Sequence, residues 1–265
     1  MKVILSFYFT WHETCFRKSK PKKRYFMKTS CLRSILGSTL VAVMGVSAAP
    51  IVPAYTTFGR LPGATFGGSG IPNHAVAITT IGGVTLGLTA HQRYANPTVH
   101  NNGAGIFYAV AGADIYSTPP QPTYARWNFG WYVDNQLPTL TSTPYVLELL
   151  YDFDPATDTD ESQLGKFSAL LPPGKYKYED SWNLGMPFLS IPASIPGLGS
   201  VSPPSYSPFN PAASGEYSFA LILKDSQGRE LGRSAILVRV VPDTGAGAVL
   251  LAVSMAGLAW LRRRV

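Results

Sequence analysis

The chain is poor in cysteine, in charge and in helical pattern. Its 265 residues hold two cysteines, Cys15 and Cys31, both upstream of residue 49. From that point on there is no thiol nucleophile, no disulfide and no cysteine-based metal site. Charged residues make up only 14% of the chain. Between residues 49 and 240 no window keeps a helical apolar period, because prolines and glycines interrupt every one. The histidines of this region, His74, His91 and His100, form neither H-x-x-x-H nor H-E-x-x-H. Zinc hydrolysis therefore has no visible ligand set, and each reads as a surface or loop residue. Gly67-Gly68-Ser69-Gly70 lacks the G-x-S-x-G spacing of a serine nucleophile and reads as a flexible turn. Phosphate-binding loops are absent.

The net charge of +7 is unevenly spread. Nine of the 22 Lys and Arg precede residue 49 and three more stand at 262–264. Residues 49–240 hold 10 basic and 13 acidic residues, a net charge of −3. A mildly acidic body is a poor partner for nucleic acid, which is excluded on this ground.

What the sequence does have is an address at each end. Met27 opens "MKTSCLRSILGSTLVAVMGVSAAP", with Lys28 and Arg33 ahead of an apolar stretch from Ile35 to Val46 and a small-residue site at Val46-Ser47-Ala48. This is the pattern of a secretory signal peptide, residues 27–48. Cleavage after Ala48 is preferred, since cutting after Ala49 would set Pro50 just past the scissile bond. Cys31 precedes the apolar stretch, so it is not an acylated lipoprotein cysteine. Residues 1–26 carry a basic run before an otherwise complete signal, and read as an extension from a start assigned too early.

The other end reads "VPDTG", then "AGAVLLAVSMAGLAWL", then "RRRV". As a helix, the 16 residues 246–261 span about 24 Å, slightly less than a hydrocarbon core of about 30 Å. Arg262, Arg263 and Arg264 would stay cytoplasmic and leave the body on the far side. Pro242 and Gly245 keep the preceding motif extended, as a protease requires. The terminus (241–265) resembles the PEP-CTERM sorting signals of Gram-negative bacteria, most closely the VPDSG-CTERM variant. Val241, Pro242, Asp243, Thr244 and Gly245 match that motif, with Thr in place of Ser. The resemblance implies passage through the Sec translocon, removal of the signal by signal peptidase at Ala48/Ala49, and a transient stay in the inner membrane. Exosortase would then recognise the motif and release the protein to the cell surface or extracellular matrix. Rival readings are a Gram-positive sortase signal, since "VPDTG" is one residue from L-P-x-T-G, and a plain C-terminal anchor. The tail also carries the family label "ice-binding protein C-terminal", which reflects where the motif was catalogued and is no evidence of ice binding.

The body, 49–240, alternates with a period of two. In Tyr124–Val133 one face holds Ala125, Trp127, Phe129, Trp131 and Val133, as in a half-buried strand. Tyr145–Asp154 and Glu216–Lys224 repeat the pattern, and the second turns at Asp225–Gly228 to return as Leu231–Val240, a closing hairpin. Weaker strands are expected at 75–80, 84–89, 105–110 and 175–178. Some eight to ten short strands predict an all-β fold, a single antiparallel β-sandwich of jelly-roll or immunoglobulin-like topology. The N-terminal signal helix and the C-terminal transmembrane helix add to it. Ser181–Ser214, with seven prolines, reads as a long loop draped over the sheet by Trp182, Phe188, Tyr206 and Phe209. The body is similar to the adhesin-like proteins of unknown function that precede such tails, in stretches such as "ARWNFGWYVDN" (125–135) and "FNPAASGEYSFALIL" (209–223).

Asp152, Asp154, Asp158, Asp160 and Glu161 form the densest polar cluster. Hard oxygen ligands suit Ca²⁺, but the EF-hand spacing fails, with Thr157 and Gln163 at the Gly and Glu positions. The other reading is a solvated loop, and no other cofactor is expected. Tyr124, Tyr132 or Trp182 could stack on sugar rings, although packing is the commoner use of strand aromatics. The expectation is an exported, non-enzymatic surface protein, structural, adhesive or binding extracellular polysaccharide. A secreted glycan-acting hydrolase is the alternative.

Overall fold

A closing hairpin anchors the architecture: β12 (Gly215–Lys224) and β13 (Glu230–Val241) pair antiparallel from Gly215↔Val240 to Lys224↔Glu230. Its turn closes where Gly228 donates to the Asp225 carbonyl. The structure, a computed structural model, describes residues 49–94, 99–136, 145–172, 174–196, 199–206 and 208–243. The membrane segment 246–261, Thr244, Gly245, Arg262–Arg264, Ala48, the signal and residues 1–26 lie outside them. Among the described residues no helix is long and apolar enough to cross a membrane.

The strands form two sheets. Sheet one runs β1 (Thr57–Gly59), β2 (Val76–Ile81), β3 (Val84–Gln92), β6 (Trp127–Asn135) and β9 (Tyr176–Trp182). Sheet two is built on β7 (Tyr145–Tyr151) and β8 (Gly165–Leu171), which pair beside the β12–β13 hairpin. Its edges are β10 (Ala193–Ile195) with β11 (Gly199–Ser202), and β4 (His100–Asn101) with β5 (Ile106–Val110). The pairs are antiparallel except β5 with β13. β5 lies far from β13 in sequence and is reached by a crossover from sheet one, a connection that permits a parallel pair.

The inward faces of the two sheets share one core. Phe129 and Phe219, from opposite sheets, lie with ring centroids 4.6 Å apart, and Trp127 meets Phe219 edge-on at 6.1 Å. Trp182 packs against Trp131 at 5.3 Å and Phe167 at 5.2 Å. Such aromatic pairs add to what their buried area contributes. Of the expected inward residues of the strands at 145 and 216, Leu147, Leu149, Tyr151, Phe153, Tyr217, Phe219, Leu221 and Leu223 are buried and Tyr145 is half-buried. A β-sandwich is the result.

Three expectations need correcting. β6 is buried on both faces, not one, because residues 61–73 cover its outer side. Ser181–Ser214 is not one loop. Ser181 and Trp182 end β9, residues 187–190 make a 3-10 turn, and β10 and β11 form an edge hairpin. Proline is tolerated at such a sheet edge, where one side of the strand needs no ladder bond. Trp182 is therefore a core strand residue, while Phe188, Tyr206 and Phe209 do drape on the core. Finally, the strands number thirteen among the described residues: β1, β4, β10 and β11, of two to four residues, carry too little alternation to be read, and β8 was not expected although its Phe167, Ala169 and Leu171 alternate into the core.

Candidate functional site

The outer face of sheet one carries a polar cluster. The register sets His91 of β3 opposite Asn128 of β6, and Thr89 and Ser181 on either side of Gly130. Strand alternation puts all of these on the face turned away from the core. Residues 61–73 close into a strap over that face, with Leu61 N donating to the Asn73 carbonyl at 2.8 Å. Phe66 presses on Gly130, where a Cβ would meet its ring at 2.9 Å. With Ala64, Val76 and Tyr132 it makes a small outer core.

Glu179 of β9 clasps the strap. Its carboxylate accepts from the backbone N–H of Thr65 and of Phe66, both at 2.6 Å, and from the Thr65 hydroxyl at 2.8 Å. Lys177 pairs with it at 2.8 Å and donates to the Gly63 carbonyl at 3.1 Å. Burial alone would raise this carboxyl. The hydrogen bonds from Lys177, Thr65 and Phe66 outweigh it and hold the group below its ordinary value.

Past Phe66 the strap leaves a cleft of about 440 Å³. His91, Asn128, Asp180 and Ser181 line its sheet side, Gly67–Ser69 the strap side, and Tyr94 and Tyr124 flank it. Tyr94 is 63% exposed. Arg93 stacks on both tyrosines, 4.4 and 4.6 Å from the ring centroids, while ion-paired to buried Asp114 at 3.0 Å.

A chain of hydrogen bonds crosses the cleft wall, and the backbone settles its direction. Asn183 Oδ1 accepts from the N–H of Ala125 and of Gly185, so its Nδ2 is the end that reaches Asn128 Oδ1 at 2.8 Å. Asn128 must then turn Nδ2 to Ser181 Oγ, 2.9 Å away. At the far end His91 Nδ1 lies 3.0 Å from the Gln92 carbonyl. A carbonyl only accepts, so Nδ1 carries the proton and bare Nε2 faces Ser181 Oγ at 2.8 Å. Burial lowers the His91 pKa, against a smaller opposing pull from the Gln92 carbonyl, and keeps the ring neutral at pH 7. His91 is 3% exposed and sits mid-sheet, which corrects its reading as a surface or loop residue. The clue available in the sequence was the polar residues on the second face of β3 and β6, whose first faces are apolar.

The acidic residues go separate ways. Asp152 is buried and accepts from Tyr206 Oη at 2.7 Å, Asp154 N at 2.9 Å and Ser218 N at 3.3 Å, tying the 203–206 segment to β12. Burial pushes its carboxyl up to about 6. Asp154 accepts from Ala156 N, Asp160 caps the 161–163 turn through Ser162 N, and Glu161 pairs with Arg233 at 2.6 Å. Asp158 is exposed. Among the described residues no three such side chains converge as a metal site would require. A groove of about 490 Å³ on sheet two holds Glu148 and Glu161. Each already pairs with cations, Lys224 and Lys166 for the first and Arg233 for the second.

Of the aromatics considered for stacking on sugars, Tyr132 and Trp182 are packed away at 3% exposure, while Tyr124 reaches the cleft. At the end of β13, Val241, Pro242 and Asp243 are exposed, and Asp243 pairs with Arg126 at 2.9 Å. Ala49 offers its carbonyl to Glu161 N at 3.4 Å and Pro50 bridges Asp160. No protein-family model, curated protein or solved structure matches the chain.

Proposed function

We propose that this is an exported bacterial surface protein, a PEP-CTERM (VPDSG-type) exosortase substrate whose sandwich body works outside the inner membrane. One coincidence supports the reading. Both ends of the sandwich body are tied into it, Ala49 and Pro50 to the 160–161 turn and Val241 to Val110. These are the two positions where processing is expected from the sequence. The exposed run Val241–Asp243 leaves the last strand at its end, where a membrane protease could reach it. In this reading residues 27–48 are the signal helix, 246–261 the transient membrane helix, and Arg262–Arg264 orient it.

Of the two sandwich topologies, the immunoglobulin-like one has the better support. β6 pairs with β9 in one sheet, while β7, β12 and β13 lie side by side in the other, as strands B and E and strands C, F and G do. The body then serves adhesion or holds extracellular polysaccharide, with exposed Tyr94 and half-buried Tyr124 as the apolar surface a sugar ring would meet. A Ca²⁺ role for Asp152–Glu161 would add loop stability to this picture.

Mass spectrometry of surface-released protein is expected to begin at Ala49 and to lack the Arg tail. An intact "RRRV" end on released protein would point to a plain anchor instead. On a glycan array the full chain is expected to retain polysaccharide and lose it with Tyr94→Ala. Equal retention by that variant would move the ligand elsewhere.

A further inference from the structure

From the cleft on sheet one we infer a serine-nucleophile site: Ser181 attacks, His91 is its base, and Asn128 supports the developing charge on the substrate ester's oxygen. The inference rests on the cleft alone and holds wherever the protein resides.

Three observations carry it. First, nucleophile and base lie within hydrogen-bond reach, 2.8 Å, and the base is oriented by a third group, the Gln92 carbonyl. This is the arrangement that activates a hydroxyl. Second, the proton positions are forced rather than chosen. With Nδ1 protonated and Asn128 Nδ2 donating, the acceptor left to the Ser181 hydroxyl among the described residues is His91 Nε2, and its hydrogen points there. Third, the site is open where a substrate needs it. Ser181 is half-buried and lines the cleft, while His91 and Asn128 behind it are nearly inaccessible. A chain meant only to satisfy buried polar groups would not require a cleft over its serine. Burial also keeps His91 neutral and able to accept a proton at pH 7.

The substrate class is a small carboxylic ester: the side-chain donor beside Ser181 is the uncharged Asn128 amide, Tyr94 and Tyr124 flank the cleft, and the charged lining residues are already engaged, Arg93 with Asp114 and Asp180 with the Trp182 indole. In the first step Ser181 Oγ bonds to the acyl carbon as its proton passes to His91 Nε2. The carbonyl electron pair moves onto oxygen, where Asn128 Nδ2 can turn to donate. The tetrahedral adduct collapses, the C–O bond to the alcohol breaks, and the alcohol leaves with the proton from Nε2. Water then attacks the acyl-serine with His91 again as base, releasing the carboxylic acid and restoring Ser181. No oxidant or metal is required.

The purified full chain, in detergent, is treated with diisopropyl fluorophosphate and mapped by mass spectrometry, and p-nitrophenyl acetate turnover is followed. The expected adduct is on Ser181. It disappears with Ser181→Ala and is unchanged with Ser226→Ala in the exposed β12–β13 turn. His91→Gln is expected to slow labelling and turnover by about a hundredfold or more. Should His91→Gln fail to fold, Ser181→Cys supplies the second readout. The thiol introduced there is expected to react with iodoacetamide at least tenfold faster than one introduced by Ser226→Cys. Absence of a Ser181 adduct on folded wild-type protein overturns the inference, as does an adduct on another serine only. Labelling that survives His91→Gln, or equal thiol rates, also overturns it and leaves the chain as a prop for the strap.

Discussion

The two faces of β6 hold neighbouring layers by different physics. Toward sheet two, Trp127, Phe129 and Trp131 sit in an apolar core, where the buried Trp131 Nε1 has no hydrogen-bond partner among the described residues. Toward the strap, Asn128, Gly130 and Tyr132 meet a layer fastened by directed hydrogen bonds, with Glu179 as the clasp. The first layer gains free energy from area removed from water and tolerates small shifts. The second is held by a few bonds of defined length and direction, each costly if left half-made. Binding chemistry belongs on the second layer, since only there do polar side chains have assigned orientations beside open space.

Substitutions can separate the two layers. Phe219→Ala should cost most, about 3–5 kcal/mol in urea unfolding, through the cavity left against Phe129 and Trp127. A cost near 1 kcal/mol would mean that the sheets do not share this core. Asn183→Ala strips partners from Ala125, Trp127, Gly185 and Asn128 together. About 2–3 kcal/mol is expected from buried groups left unpaired. It should also slow ester turnover, because Asn128 loses the contact that aims it; turnover unaffected by that variant would break the orientation argument.

Glu179→Gln is the gentlest of the three, about 1–2 kcal/mol, and should act on the strap before the core. Limited proteolysis is expected to cut within 63–71 sooner than in wild type. An unchanged cutting pattern would place the strap's stability elsewhere. Acid titration sharpens the contrast, since two carboxylates oppose one another. Glu179 has a lowered folded pKa, so its contribution is complete above its ordinary value of 4.5 and fades as pH falls through the folded one. Asp152 works in reverse. Its folded pKa is about 6, so the folded chain keeps a proton that the unfolded chain gives up, and stability drops as pH rises through about 6. Melting temperature should therefore fall below pH 4.5, while between pH 6.5 and 5 the rise that Asp152 gives on acidification runs against the loss from buried His91, whose lowered pKa has the opposite sign. Loss of that rise in Asp152→Asn and of the fall below pH 4.5 in Glu179→Gln would assign each slope.

Much of the sandwich was legible beforehand. The strands at 127–135, 145–151, 215–224 and 230–241 announce themselves by alternation, and Asp225–Gly228 by its turn chemistry. The polar site was not legible. His91, Asn128 and Ser181 are 37 and 53 residues apart along the chain, with no motif among them. Each looked like an ordinary exposed polar residue because nothing in the local pattern predicts a strap overhead. The acidic run 152–161 shows the converse. Its residues are close in sequence, yet Asp152 turns into the protein, Glu161 turns to Arg233, and Asp158 faces solvent.

Residue order alone determined the cysteine-free acidic body and its all-β character, and raised the expectation of an address at each end, because these depend on composition and on repeats a few residues long. Only the folded chain decided which second faces are covered, which carboxylate burial pushes up to about 6, and that a serine and a histidine 90 residues apart share one hydrogen bond. Those properties come from strand pairing and burial, which join distant residues and remove water from between them.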